Sequence, residues 1–319
     1  MTTQRSSARP RHPRDVLDEA IENDSITQLT EALDLAKSNP IRNTPYDKFL
    51  ASALSSCVQD GRIDLVGHLL EQESASMTFL SPPIVWTKFS IPLLELLIAH
   101  GWDINRSAES GARTRRQRII DLACGDETFV RWLVDHGAQV DGGEDEYEVY
   151  PEPAPLLETC AVRGSVSTFL FLQARGARLG KRTLHRAAEE AAAARADPSI
   201  TYDSASVESD PNGAEAALVK RRQGRSEMLR FLVENLKLDI NAMDTEVQRP
   251  FHWGTPLCYV ATKPNGEAVG KWLLEKGADP SIKNTEGADA EYVAKDHDCD
   301  KIVALLKDWK TAHGLDGGK

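Results

Sequence analysis

Residues 254–261 read GTPLCYVA, and residues 271–287 read KWLLEKGADPSIKNTEG. Thr255 is a good N-cap, because its hydroxyl can accept a backbone N–H that the first helical turn leaves unpaired. Pro256 suits the first helical position, where its missing donor costs nothing. Leu257 and Ala261 lie four apart, so they share one face, and alanine lets a neighbouring helix come close. The apolar residues of VGKWLLEKG (269–277) recur at i, i+3 or i+4, which marks one buried face of a second helix. Gly277 then stands where a left-handed C-terminal cap wants a glycine. The stretch predicts a short helix, a longer helix and an irregular excursion.

The second-helix pattern recurs along the chain: LVGHLLEQ (65–72), LLELLIAHG (93–101), FVRWLVDHG (129–137), TFLFLQARG (168–176), MLRFLVEN (228–235) and IVALLKD (302–308). Their equivalent leucines are Leu69, Leu97, Leu133, Leu172, Leu232, Leu273 and Leu306. The interval from Leu172 to Leu232 is the long one; against a period of ~33 residues it holds about 27 extra. The first-helix pattern recurs as RTLHRAA (182–188) and, more loosely, as PLLETCA (155–161) and IIDLAC (119–124).

These residues resemble the ankyrin repeat, in the style of fungal ankyrin-repeat proteins. The resemblance covers roughly residues 45–310 by period and is strong from 181 onward. It implies an all-α fold: an ankyrin-repeat solenoid of about six to seven helix pairs with finger loops and degenerate N-terminal repeats. His185 sits where the family usually has a histidine that bridges adjacent repeats, and Cys258 replaces it in the next repeat. The cysteine reads as a replaced structural histidine, not as a nucleophile.

Domain organisation follows from the register. Residues 1–14 form a disordered basic tail, in which Pro10 and Pro13 spoil an amphipathic helix. Residues 15–44 are N-terminal capping helices, 45–310 are the array, and 311–319 are a flexible C-terminal tail. Residues 76–90 (SMTFLSPPIVWTKFS) lack the first-helix pattern, and Pro82-Pro83 cannot lie inside a helix, so this is a degenerate repeat. The insertion of about 190–226 lengthens a first helix through AAEEAAAARAD (187–197) and a second through AEAALVKRRQGRSE (214–227), with a polar loop between. Its basic run, Lys220, Arg221, Arg222 and Arg225, reads as a solvated helix face.

Composition bounds the function. Net charge is -11, with 38 Lys+Arg against 49 Asp+Glu, which argues against a surface built for nucleic acid or anionic lipid. The five cysteines have no CxxC pair and an odd count, which suits a reducing compartment. The N-terminus has no apolar signal core, and no stretch is long enough to span a bilayer. The cytoplasm is the expected location, with the nucleus as the alternative, and the chain is expected to be a monomer.

No nucleotide-binding, zinc-protease or serine-hydrolase motif occurs, so no catalytic residue, cofactor or metal is expected. DHDCD (296–300) is the most tempting metal or acid–base cluster, but His297 and Cys299 are two apart, which on a helix points them to different faces, and further ligands with suitable spacing are lacking. The fingers are the better candidates. The excursion 105–118 is basic and carries Arg113, Arg115 and Arg116; 141–153 is acidic and carries Tyr147 and Tyr150; 244–253 ends in Phe251, His252 and Trp253. Tyr, Trp and Arg dominate interface hot spots, at ~2 kcal/mol or more each. Those seven residues (Arg113, Arg115, Arg116, Tyr147, Tyr150, Phe251 and Trp253) are the expected contacts of a non-enzymatic scaffold or adaptor with a protein partner. The alternative is an enzyme or small-molecule binder whose site lies beneath 197–226 and draws on His185, Asp244, His252 and Cys258.

Overall fold

The computed structural model describes residues 11–39, 44–107, 117–141, 155–201, 213–244 and 253–314. These residues are all-helical, and no strand occurs among them. No helix among them is long and apolar enough to cross a membrane. The chain divides into two compact units, Met1–Leu122 and Ala123–Lys319.

The N-terminal unit holds three successive helix pairs: α1 (Pro13–Asn23) with α2 (Ile26–Ser38), α3 (Tyr46–Gln59) with α4 (Ile63–Glu71), and α5 (Pro82–Trp86) with α6 (Ile91–Ala99). Pro13 opens α1 instead of spoiling it, because a proline at the first helical position gives up only a donor that has no partner there. The same physics corrects the expectation for Pro82-Pro83. Both prolines sit in the first turn of α5, directly after Ser81, where the lost N–H groups are those the helix leaves unpaired anyway. Leu69 and Leu97 are fully buried, and the Trp102 indole donates to the Leu80 carbonyl at 3.0 Å.

The C-terminal unit begins within α7 (Ile119–Ala123), which is followed by α8 (Glu127–Asp135). Three more pairs continue the order: α9 (Leu156–Arg163) with α10 (Val166–Ala174), α11 (Thr183–Ala193) with α12 (Ala214–Arg230), and α13 (Pro256–Ala261) with α14 (Glu267–Glu275). The last pair is α15 (Ala290–Asp296) with α16 (Asp300–Ala312). First helices pack on first helices, α9 on α11 on α13 on α15, while α10 packs on α8 and α12, and α14 on α16. The register leucines Leu133, Leu172, Leu232, Leu273 and Leu306 are each 0% exposed. A fully buried leucine thus recurs at the same position of every pair in this unit.

The helix ends repeat as well. Gly277 has φ 100°, and Ala278 donates back to the Leu273 carbonyl at 2.9 Å. Gly137 (φ 94°) and Gly176 (φ 93°) close α8 and α10 with the same bond. Among the described residues a Cβ at Gly277 would meet nothing within 4 Å, so it is the backbone conformation that demands the glycine. In the long repeat the last turn widens to a π-helix, Phe231–Asn235, and Leu238 donates to Leu232 across one residue more than elsewhere. The extra residue leaves Lys237 in the glycine's place, at φ 53°. Because a side chain there costs about 1 kcal/mol or more, Lys237→Gly is expected to raise stability by roughly 0.5 kcal/mol after glycine's own entropy loss. A urea midpoint unchanged or lowered in that variant would contradict this account.

Polar contacts tie neighbouring pairs together in the same register. Asp135 of α8 meets Arg175 beyond α10 at 3.7 Å, and Glu234 meets Lys276 beyond α14 at 2.6 Å. Asp141 accepts from the Arg178 N–H at 3.2 Å, just as Asn241 accepts from the Asp279 N–H at 2.9 Å. The insertion lengthens both α11 and α12, and the loop 202–212 lies outside the described residues. Arg225 is not part of a solvated face. Its guanidinium covers the C-terminus of α9, donating to the carbonyls of Val162, Arg163 (2.9 Å) and Gly164 (3.0 Å). Burial holds its pKa below the ordinary arginine value. Arg221 pairs with Glu190 at 2.5 Å.

Candidate functional site

The excursion 245–252 leaves and re-enters the scaffold through a clasp. Asp244 follows the turn after α12, and its N–H donates to the Gly254 carbonyl at 3.2 Å. Its carboxylate accepts from the Trp253 N–H at 3.1 Å and from the Gly254 N–H at 3.2 Å. The clasp is itself anchored, since the Tyr259 hydroxyl of α13 donates to Asp244 Oδ2 at 2.6 Å. Asp244 and Tyr259 are each 1% exposed. The next excursion uses a similar device: the Asn284 N–H donates to the Ala288 carbonyl at 2.8 Å, the Ala288 N–H donates to Asn284 Oδ1 at 2.9 Å, and Asn284 Nδ2 reaches back to the Trp253 carbonyl at 3.4 Å.

His185 of α11 and Arg182, the residue just before that helix, back this clasp. The His185 Nε2–H donates to the Ala242 carbonyl at 2.9 Å, and its ring meets Tyr259 edge-on at 5.2 Å. The Arg182 guanidinium lies 5.2 Å from the Tyr259 ring centre. Burial, first of all, pushes the His185 pKa down to about 4; Arg182 pushes the same way, while Asp244 and the Ala242 carbonyl oppose it. Burial and the bond to Asp244 push the Tyr259 hydroxyl up. Arg182 occupies the position that Thr255 holds in the next pair, and among the described residues His185 Nδ1 has no hydrogen-bond partner. In the next pair Thr255 caps α13, accepting from the Cys258 N–H at 3.4 Å and donating to Cys258 Sγ at 3.4 Å. Burial raises the Cys258 thiol, which opposes thiolate formation.

The structure thus brings three of the four polar groups of the small-molecule reading, His185, Asp244 and Cys258, into one buried cluster; His252 lies outside the described residues. Each is 0 or 1% exposed, and their hydrogen bonds hold the scaffold. The cleft beside the insertion, about 430 Å³, is lined by Asp197, Ser199, Glu267, Lys271 and Trp272, and by none of those groups. Tyr259 and Arg182 were not singled out in the sequence. Tyr259 sits among apolar neighbours and reads as core, and only the stacking of α13 on α11 reveals its polar role.

Of the expected contact residues, Trp253 alone is described. It is half-buried, with its ring edge-on to His297 at 4.8 Å. Arg113, Arg115, Arg116, Tyr147, Tyr150 and Phe251 lie outside the described residues. The flanks of their excursions are tied down. Arg106 donates to the carbonyls of Met77 (3.0 Å) and Thr78 (2.5 Å), and Arg118 pairs with buried Asp121 at 3.3 Å. Those two arginines serve the scaffold. No family model and no curated protein matches this chain. In the DHDCD turn, His297 and Cys299 flank the joint between α15 and α16, and Cys299 is buried while Asp296, Asp298 and Asp300 are exposed.

Proposed function

We propose that this chain is an ankyrin-type repeat scaffold that binds a protein partner through its finger loops and the adjoining first helices, without catalysis. The observation that carries the reading is the clasped base of the 245–252 excursion. Asp244, anchored by Tyr259 and backed by His185, sets where that segment leaves and re-enters the stack. Fixing the two ends of a recognition segment on a rigid support lowers the entropy lost on binding. The repeating leucine, the left-handed closing residue and the cross-pair bonds support the ankyrin assignment. The burial of His185, Asp244 and Cys258 favours the scaffold reading over a small-molecule site.

A tagged chain carrying Trp253→Ala and Tyr150→Ala is expected to lose, by affinity purification and mass spectrometry, the partner that the wild-type chain retains. Far-UV circular dichroism should show an unchanged helical signal. A folded double variant with the same partner set would sink this surface.

A further inference from the structure

We propose that the projecting N-terminal part of α12 and the α9–α10 turn form a second docking surface, which takes an acidic, leucine-bearing segment of a protein partner. It goes beyond the finger reading. The 245–252 excursion enters α13 at its N-terminus, whereas this ledge lies at the C-terminus of α9.

The shape of the ledge comes from the register. α10 begins at Val166, six residues before its register leucine Leu172, and α14 begins at Glu267, six before Leu273. On α12 the residue six before Leu232 is Ser226, yet the helix starts at Ala214. Ala214–Arg225, about 18 Å of helix at ~1.5 Å per residue, therefore has no counterpart in α10 or α14. One side of it is covered, since Ala216 is buried and Val219 half-buried, while Ala214, Leu218, Lys220 and Arg221 are exposed. Arg225 clamps the Arg163 and Gly164 carbonyls (2.9 and 3.0 Å) and so fixes where the extension crosses the end of α9. Leu218, Arg221 and Arg222 precede Arg225 by seven, four and three residues, so they share its helix face and stand just past that turn.

Charge names the occupant. Ala214–Arg225 holds Lys220, Arg221, Arg222 and Arg225 against a single carboxylate, Glu215, and exposed Arg163 adds a cation at the turn. Arg221 pairs with Glu190 at 2.5 Å, and Arg225 is engaged with the α9 carbonyls. Among the described residues Arg163, Lys220 and Arg222 form no ion pair, and the buried Nε of Arg222 has no acceptor. On a chain of net charge -11 this positive field is local, so it selects the place at which an acidic segment lands. Guanidinium groups take carboxylates through paired bonds, and Leu218, 45% exposed, offers an apolar contact beside them.

Fluorescence anisotropy on the full chain, with a labelled peptide of glutamate, leucine and alanine, tests this. The comparison peptide has glutamine for each glutamate. The glutamate peptide is expected to bind saturably, and more weakly as salt rises; the glutamine peptide should bind at least about tenfold more weakly. R163Q/K220Q/R222Q, which breaks no ion pair of the scaffold, should weaken binding about tenfold, and Leu218→Ala about threefold. K48Q/K283Q/K307Q removes three exposed lysines elsewhere, makes the same change in net charge and should leave binding within about twofold. Equal losses in the two triple variants would overturn the proposal, as would unaltered binding by R163Q/K220Q/R222Q with a native melting curve. A single-stranded oligonucleotide that binds more tightly than the peptide, and is lost in that same variant, would overturn it in favour of nucleic acid. The Trp253→Ala, Tyr150→Ala chain is expected to keep the peptide, so each surface can fail without the other; loss of the peptide there would overturn a separate ledge.

Discussion

Replacing Leu273 by alanine is expected to lower the unfolding free energy of the C-terminal unit by about 3 kcal/mol. Leu273 is 0% exposed on α14, which packs against both α13 and α16. Truncation removes apolar contact on two sides and leaves a cavity, because neighbouring helices relax only partly. A stacked array has only nearest-neighbour contacts, so the loss also loosens α15 and α16 from the rest of the unit. Urea denaturation followed by circular dichroism measures it, and the m-value should fall if the last pair uncouples. Leu170→Ala is the control: Leu170 lies on α10 but is 46% exposed, so its loss should cost less than about 0.5 kcal/mol. Similar costs for the two variants would mean that the leucine row is not what joins the pairs.

Acidification from pH 7 to 4 is expected to cost this fold about 3 kcal/mol through His185 alone. In the unfolded chain the imidazole titrates near its ordinary value of 6.5; in the folded chain burial lowers that to about 4. Above pH 6.5 neither state binds the proton, and the stability is fully present. As the pH falls below 6.5 the unfolded chain takes up a proton that the buried ring resists, and the loss is complete once the pH is below about 4. Glu73, Glu127 and Glu291, held below the usual carboxylate range by their cationic and hydroxyl partners, act in a lower window. Their contribution is present above the unfolded carboxylate value and is lost as the pH falls from there through their lower folded values. The slope between pH 6.5 and 4.5 therefore belongs mainly to His185. His185→Gln should be less stable at pH 7, for want of a good bond to Ala242, yet flatter across this window. Urea midpoints at pH 7, 6 and 5 would show it; a slope equal to wild type would remove His185 from the explanation.

Much of the helical framework was readable from residue spacing, because its causes are short-ranged. The leucines recur with helical spacing, and all seven are buried. The glycines after α6, α8, α10 and α14 have positive φ, and Thr255 caps α13 through its own hydroxyl. Pro82-Pro83 was misread because proline is incompatible with a helix interior but not with its first turn. One-residue context could not say which applied.

The candidate site was legible only in outline. Asp244, His185 and Cys258 were noticed as polar groups, but their partners lie on other helices. His185 bonds a carbonyl 57 residues away, and Arg225 reaches carbonyls more than 60 residues away. Trp253, read as a display residue, also packs on His297. The sequence by itself determined helix positions, caps and the buried leucine row, since each depends on residues within a turn or two. The tertiary structure alone decided which polar groups became scaffold and which stayed open. That outcome depends on desolvation and on partners that only the stacking of one pair on the next brings within hydrogen-bond reach.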